Sequence, residues 1–217
     1  VPFSIPSKIF AMIALSGALF VSACGENAGS SSGNQGVGSD LASKIETDRS
    51  IGDPNAPITM IEYASVTCPA CAGFHIAVYP KLKEEYIDTG KVHFIFREFP
   101  TPPVDRAYAG FMLARCMPED RYFGFIDVLF KQQAVWVGAQ DSASELLKIG
   151  RMGGMNAEQF NACMQNQDEI DRIEQVVEDG QNVFGISATP TFVINGTTYG
   201  GRSFEDFQQV LDPLLVE

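Results

Sequence analysis

Two cysteines held two residues apart, Cys68-Pro69-Ala70-Cys71, are the part of this 217-residue chain whose types and spacing point most directly to chemistry. A C-x-x-C pair serves dithiol–disulfide exchange or supplies half of a zinc site. Zinc would need further ligands, and the chain offers only His75 and His93, isolated remaining cysteines and no second C-x-x-C pair. A third use, an inert structural disulfide, gains little from closing so short a loop. Exchange has a positive mechanism. A cysteine at the start of a helix, with proline at the first helical position, faces unpaired backbone N–H groups and the positive end of the helix dipole. Both favour the thiolate, which is the nucleophile. Cys68 is therefore expected to be the attacking sulfur and Cys71, one turn inward, the resolving one.

Other residues join these two as candidates. Ala188-Thr189-Pro190-Thr191 precedes a second apolar run, and an X-Pro bond makes a cis peptide accessible there, although a trans proline opening a strand is the ordinary alternative. Glu62 lies six residues before Cys68 in an otherwise apolar segment, where a partly buried carboxylate could relay a proton to or from Cys71. A purely structural Glu62, paired with Lys81, Lys83 or Arg97, is the competing reading. Glu98 is a weaker candidate for the relay, and His75 and His93 are expected on a helix surface and a strand edge.

These residues need elements to position them. Ile58 to Ala64 is rich in β-formers and reads as a buried strand leading straight into the cysteines. Phe74, Val78 and Leu82 recur every four residues, predicting a helix from the cysteines to about Asp88, kinked at Pro80. Lys91 to Phe99 alternates Val92, Phe94 and Phe96 and reads as a second strand. From about Val104 to Phe184 the pattern turns helical: Val104 to Met117, Pro118 to Gln133, Ser142 to Arg151, Asn156 to Gln165 and Asp168 to Phe184. Thr191 to Ile194 and Thr197 to Gly200 then flank Asn195-Gly196, the signature of a type I′ hairpin. Ser203 and Asp206 form a capping-box pattern for a last helix whose apolar face is Phe207, Val210, Leu211 and Leu214.

The first residues point to export. Lys8 precedes an apolar stretch, Ile9 to Val21, that suits a signal-peptide core and is short for a membrane span. The following Val21-Ser22-Ala23-Cys24 resembles the lipobox of bacterial lipoprotein signal peptides, which would make residues 1–23 the signal and Cys24 the lipidated residue. An ordinary signal peptide with a chance cysteine is the alternative, and either reading exports the chain. Gly25 is not the Asp that resembles an inner-membrane retention signal, so the outer membrane is expected. The remainder of residues 24–50 is largely Gly, Ser, Asn and Gln and reads as a tether, with a helical turn or two over Leu41 to Asp48. Five cysteines is an odd number for an oxidising compartment. Lipidation of Cys24 leaves Cys68/Cys71 and Cys116/Cys163, a reactive pair and a candidate structural bridge; two free buried cysteines are the alternative at the second pair. A net charge of −12 offers no basic excess for nucleic acid. No apolar heptads suggest an oligomerisation stalk, and a monomer is expected.

Strand, Cys68-Pro69-Ala70-Cys71, helix, helical insertion, then Ala188-Thr189-Pro190-Thr191 before a strand resembles the DsbA-like thiol–disulfide oxidoreductases over about residues 51–217. The resemblance implies an α/β thioredoxin-like fold, with a mixed central sheet and a helical insertion, about 104–184, between the second and third core strands. It also implies a cis bond before Pro190, a buried acid at Glu62, no cofactor or metal, and a lipid-anchored periplasmic enzyme that introduces disulfides into reduced exported polypeptides. Its reoxidant would be a membrane quinone-linked partner resembling DsbB. Ala70 stands where well-known members carry His, and Thr189 also occurs in isomerases and reductases of the wider superfamily, with a hydroxyl able to reach the sulfurs. A weaker oxidant is therefore expected. The alternatives are an isomerase or reductase kept reduced by a membrane thiol donor and, further off, a peptide-holding lipoprotein without redox turnover.

Overall fold

A computed structural model describes residues 48–216. The expected signal peptide, the expected lipidation site at Cys24 and almost all of the expected tether lie outside the described residues. Five strands form one mixed sheet: β1 (Arg49–Ile51), β2 (Ile58–Ala64), β3 (Val92–Glu98), β4 (Thr191–Ile194) and β5 (Thr197–Gly200), in the order β1-β3-β2-β4-β5. Only β2 and β3 run parallel. The parallel pair requires a crossover, supplied by α1 (Pro69–Ala77) and α2 (Tyr79–Leu82) and closed by a wide helical turn, Lys83–Ile87. The expected kink is a break: α1 stops at Ala77, and Pro80 sits in the first turn of α2, where its missing N–H costs nothing.

Between β3 and β4 the chain forms α3 (Val104–Arg115), α4 (Tyr122–Lys131), α5 (Gln133–Gly138), α6 (Ser142–Met152), α7 (Ala157–Cys163) and α8 (Gln167–Phe184), and α9 (Phe204–Leu211) follows β5. The helix expected over Pro118 to Gln133 is divided: a short 3₁₀ turn, Glu119–Arg121, precedes α4, and α5 begins afresh at Gln133. The sheet also starts earlier than the expected boundary at 51, because Arg49 and Ser50 pair with Phe96 and Ile95. Asp48 accepts hydrogen bonds from the Arg97 guanidinium, so it anchors β1 to β3 and is not in a helical turn.

Alternation along β2 sends Ile58, Met60, Ala64 and Val66 into the main core with α1, α3, α4 and α9, while Ile61 and Tyr63 face a smaller cluster with Val176 of α8. Helices α3 and α4 of the insertion are thus packed onto the same face as the cysteine helix, through Phe96 of β3 against Phe111, Tyr122 and Phe130. One carboxylate ties it down. Glu98, at the end of β3 and wholly buried, accepts hydrogen bonds from Arg115, Tyr122 and Arg172 on α3, α4 and α8. Burial opposes its ionisation, but Arg115 and Arg172 hold it at about 2, which makes Glu98 a structural anchor and not a proton relay. Cys116 and Cys163 are bonded, with Cα atoms 6.1 Å apart, joining the end of α3 to α7. Asn195 and Gly196 both take positive φ, 45° and 85°, as a type I′ turn requires, and Ser203 and Asp206 cap α9 reciprocally.

Candidate active site

Cys68 occupies the N-cap of α1 with extended backbone (φ −81°, ψ 120°), Pro69 begins the helix, and Cys71 follows one turn inside. The two thiols are free, Cys68 partly exposed and Cys71 wholly buried. Their positions divide their chemistry. A hydrogen bond from the Cys71 side chain is the largest influence lowering Cys68. Burial opposes it, and Thr189 and the backbone N–H groups of Cys71 and Ala70 add to it, leaving Cys68 at about 5. Burial pushes Cys71 far up, helped by its hydrogen bond to Cys68 and by the charge of Glu62. At neutral pH the pair is a thiolate and a thiol.

Thr189–Pro190 is a cis peptide, and the Thr189 carbonyl oxygen is 3.4 Å from the Cys68 sulfur. The loop therefore faces the reactive cysteine as expected, with its backbone at the sulfur as well as its side chain. Pro190 has no N–H to offer, so it closes no ladder bond there. Gly201 packs under it, since a Cβ at that position would lie 3.2 Å from the proline ring. A second cis bond, Pro102–Pro103, was not anticipated. It follows Thr101, which the Ser65 and Thr67 hydroxyls bind through its backbone N–H and O, so this loop is tied to the residues just before Cys68.

Glu62 reaches neither Lys81, Lys83 nor Arg97. It is wholly buried beneath α1, and its Oε2 lies 2.8 Å from Nε2 of His75. His75 is accordingly not on the helix surface but 2% exposed. The expectation of a surface histidine failed because His75 follows Cys71 by four residues, which puts both on the face of α1 turned to the sheet; that spacing was the available signal. His93 is half-buried at the start of β3, and burial lowers its basicity. Sequence reasoning also missed Gln133, whose buried side-chain amide donates to the carbonyls of Val66 (2.8 Å) and Cys68 (3.0 Å), bracing the turn into α1 from the insertion. No sequence signal marks it, because its partners are more than sixty residues away.

Comparison with known proteins agrees with this geometry. A thioredoxin family model matches residues 44–213. A Rickettsia felis protein provisionally named a protein-disulfide oxidoreductase is 31% identical over 79% of this chain, and a Rickettsia bellii protein of the same name 30% identical over 79%. The chain spans 62% and 66% of the lengths of these relatives. The crystal structure of Wolbachia pipientis alpha-DsbA1 superposes with a TM-score of 0.75 at 35% identity, covering 82% of this chain and 95% of that one. The chain belongs to the thioredoxin family, among its DsbA-like members.

Proposed function

We propose that the protein is an exported thiol–disulfide oxidoreductase that oxidises reduced polypeptides through Cys68 and Cys71. The observation that carries this reading is the unequal pair at the start of α1: a Cys68 thiolate held at about 5, accessible and facing cis-Pro190, above a buried, protonated Cys71. A disulfide whose reduced form is so stabilised gives up its bond readily. In the oxidised enzyme a substrate thiolate attacks Cys68 Sγ, the Cys68–Cys71 bond breaks, and Cys71 leaves and takes up a proton. A second substrate thiolate then attacks the substrate sulfur of the mixed disulfide, and Cys68 departs as the thiolate. The substrate has lost two electrons and two protons; the enzyme pair has gained the electrons. Thr189 and Pro190 supply the open backbone beside Cys68 along which an extended peptide can lie. Glu62 serves as proton donor and acceptor to Cys71, and the Cys116–Cys163 bridge is structural.

The signal peptide ending at Ala23 and lipidation of Cys24 would place the enzyme on the periplasmic side of the outer membrane as a tethered monomer. A membrane quinone-linked protein resembling DsbB would reoxidise it. A reductase or isomerase remains the second reading, favoured by Ala70, which brings no positive charge to the thiolate. Rapid acid quenching of cells followed by thiol alkylation decides between them. A Cys68–Cys71 pair found mostly as the disulfide supports the oxidase, and one found mostly as the dithiol refutes it in favour of the second reading.

A further inference from the structure

When Cys71 attacks a mixed disulfide it must lose a proton, and its sulfur is wholly buried, out of reach of bulk water. Beneath it lies a pair of groups that the redox step above uses only in part. Glu62 commits Oε2 to His75 at 2.8 Å, while its Oε1 is buried with no hydrogen-bond partner among the described residues. The charge of Glu62 is felt at Cys71. His75, one helical turn beyond Cys71 on the same face, is locked in an aromatic cage. Its ring lies on Phe130, with centroids 4.1 Å apart and planes 18° apart, and meets Phe74 and Phe96 edge-on. The cage fixes the plane of the imidazole, hence the direction of its hydrogen bond, hence the carboxylate. A lone carboxylate among these rings would be strongly disfavoured, and a partner able to share a proton removes much of that penalty.

We propose that His75 is a positioning residue for thiol–disulfide exchange: it holds Glu62 with Oε1 free for the Cys71 proton and shares that proton, so that Glu62 and His75 act as one store. This rests on the redox reading above. As Cys71 Sγ attacks Cys68 Sγ, the Cys68–Cys71 bond forms and the bond from Cys68 to the substrate sulfur breaks. That sulfur leaves as a thiolate with the electron pair, and the Cys71 proton passes to Glu62 Oε1. In the opposite direction, a substrate thiolate breaks the Cys68–Cys71 bond and the store returns the proton to Cys71. The other titratable group facing the pair is Tyr79 of α2, 4.9 Å from the His75 ring, its hydroxyl buried and without a partner among the described residues. Burial and the charges of Glu62, Asp88 and Asp127 push Tyr79 up, so it stays neutral. The neighbours from β3, β4 and α4 are Phe96, Phe192 and Phe130.

The test is stopped-flow resolution of a mixed disulfide preformed between Cys68 and a fluorescent thiol peptide, followed against pH in the wild type, Glu62→Gln, His75→Phe, His75→Gln and the Glu62→Gln/His75→Phe double variant. Loss of a general acid–base group costs about 100-fold, and we expect that slowing from Glu62→Gln and from His75→Phe, with no further loss in the double variant because the two act as a unit. His75→Gln can still donate to Glu62 but cannot share the proton, and resolves at an intermediate rate. Thiolate absorbance should place the Cys68 titration where it is in the wild type. Wild-type rates in His75→Phe, or in His75→Gln should the phenylalanine variant not fold, overturn the proposal, as does a slowing matched by a shift in the Cys68 titration. Those results leave the redox reading intact. A wild-type protein that forms no mixed disulfide at Cys68 would refute that reading itself.

Discussion

Removing the Cys71 thiol should move the titration of Cys68, because a hydrogen bond from that side chain is the largest influence lowering it. Cys71→Ala removes the donor and should raise Cys68 well above about 5, whereas Cys71→Ser keeps a donor and should raise it less. The size of the effect follows from the thiolate fraction. At pH 7 a thiol titrating at about 5 is about 99% ionised and one at 9 about 1%, so the folded site stabilises the reduced pair about 100-fold, or about 60 mV at about 30 mV per tenfold for two electrons. Cys71 adds nothing to this, since burial keeps it protonated. Nucleophilicity falls with basicity at a slope of about 0.4–0.5, so about four units of lowering forfeit nearly all the gain in attack rate. The benefit therefore goes to Cys68 as a leaving group, which is the role it plays in releasing an oxidised substrate. A Cys68 near 5 lies between about 3.5 in DsbA and about 7 in thioredoxin. Scaling from their potentials of about −120 and −270 mV puts this pair between about −220 and −165 mV. The assays are ultraviolet titration of the thiolate and equilibration with glutathione across pH. The potential should fall by about 30 mV per pH unit more steeply below pH 5 than above it, because reduction there takes up one further proton, at Cys68. Cys71→Ala titrating at about 5, or a potential at or above −120 mV, would refute this reasoning.

Three further perturbations test the scaffold. Glu98 is depressed from 4.5 to about 2 in the fold, so it contributes about 3 kcal/mol that is fully present above about pH 4.5 and lost as pH falls through about 2. Glu98→Gln removes the charge that Arg115 and Arg172 face and should destabilise the fold by about 3–5 kcal/mol in denaturant unfolding at neutral pH; a change below about 1 kcal/mol would contradict the anchoring role. Cys116→Ala/Cys163→Ala opens a bridge across 47 positions and should cost about 4 kcal/mol in the chain-entropy model. An unchanged denaturation midpoint would mean that the bridge constrains nothing. Gln133→Ala deletes two hydrogen bonds to the turn before α1 and should cost about 1–3 kcal/mol, read by thermal unfolding; no change would show that the insertion does not brace that turn.

What the sequence disclosed was short in range. Cys68-Pro69 at a helix start, the Asn195-Gly196 turn and the Ser203/Asp206 cap each depend on residues within one turn of chain, and each has the expected geometry. Pro190 was legible through the resemblance carried by Ala188-Thr189-Pro190-Thr191 before a strand, and the bond before it is cis. What stayed hidden depends on partners distant in sequence. β1 is three residues long and exists by pairing with β3 more than forty positions on. Gln133 has no periodic signature and is defined by carbonyls it meets across the fold. Glu62 was legible as a buried acid, but the partners its competing structural reading offered were nearby lysines and Arg97; the crossover helix lays His75 on it instead, and Arg97 is taken by Asp48 and Tyr63 on the other side of the sheet.

The central claim is that Cys68 is the sulfur that forms the mixed disulfide with substrate and Cys71 its buried partner, and trapping tests it most directly. The full chain carrying Cys71→Ala, mixed at neutral pH with a disulfide-bonded peptide, cannot release what Cys68 captures. Peptide mapping by mass spectrometry should find one stable mixed disulfide, at Cys68, with a matching equivalent of free peptide thiol. No adduct, or an adduct on another cysteine, would contradict the account.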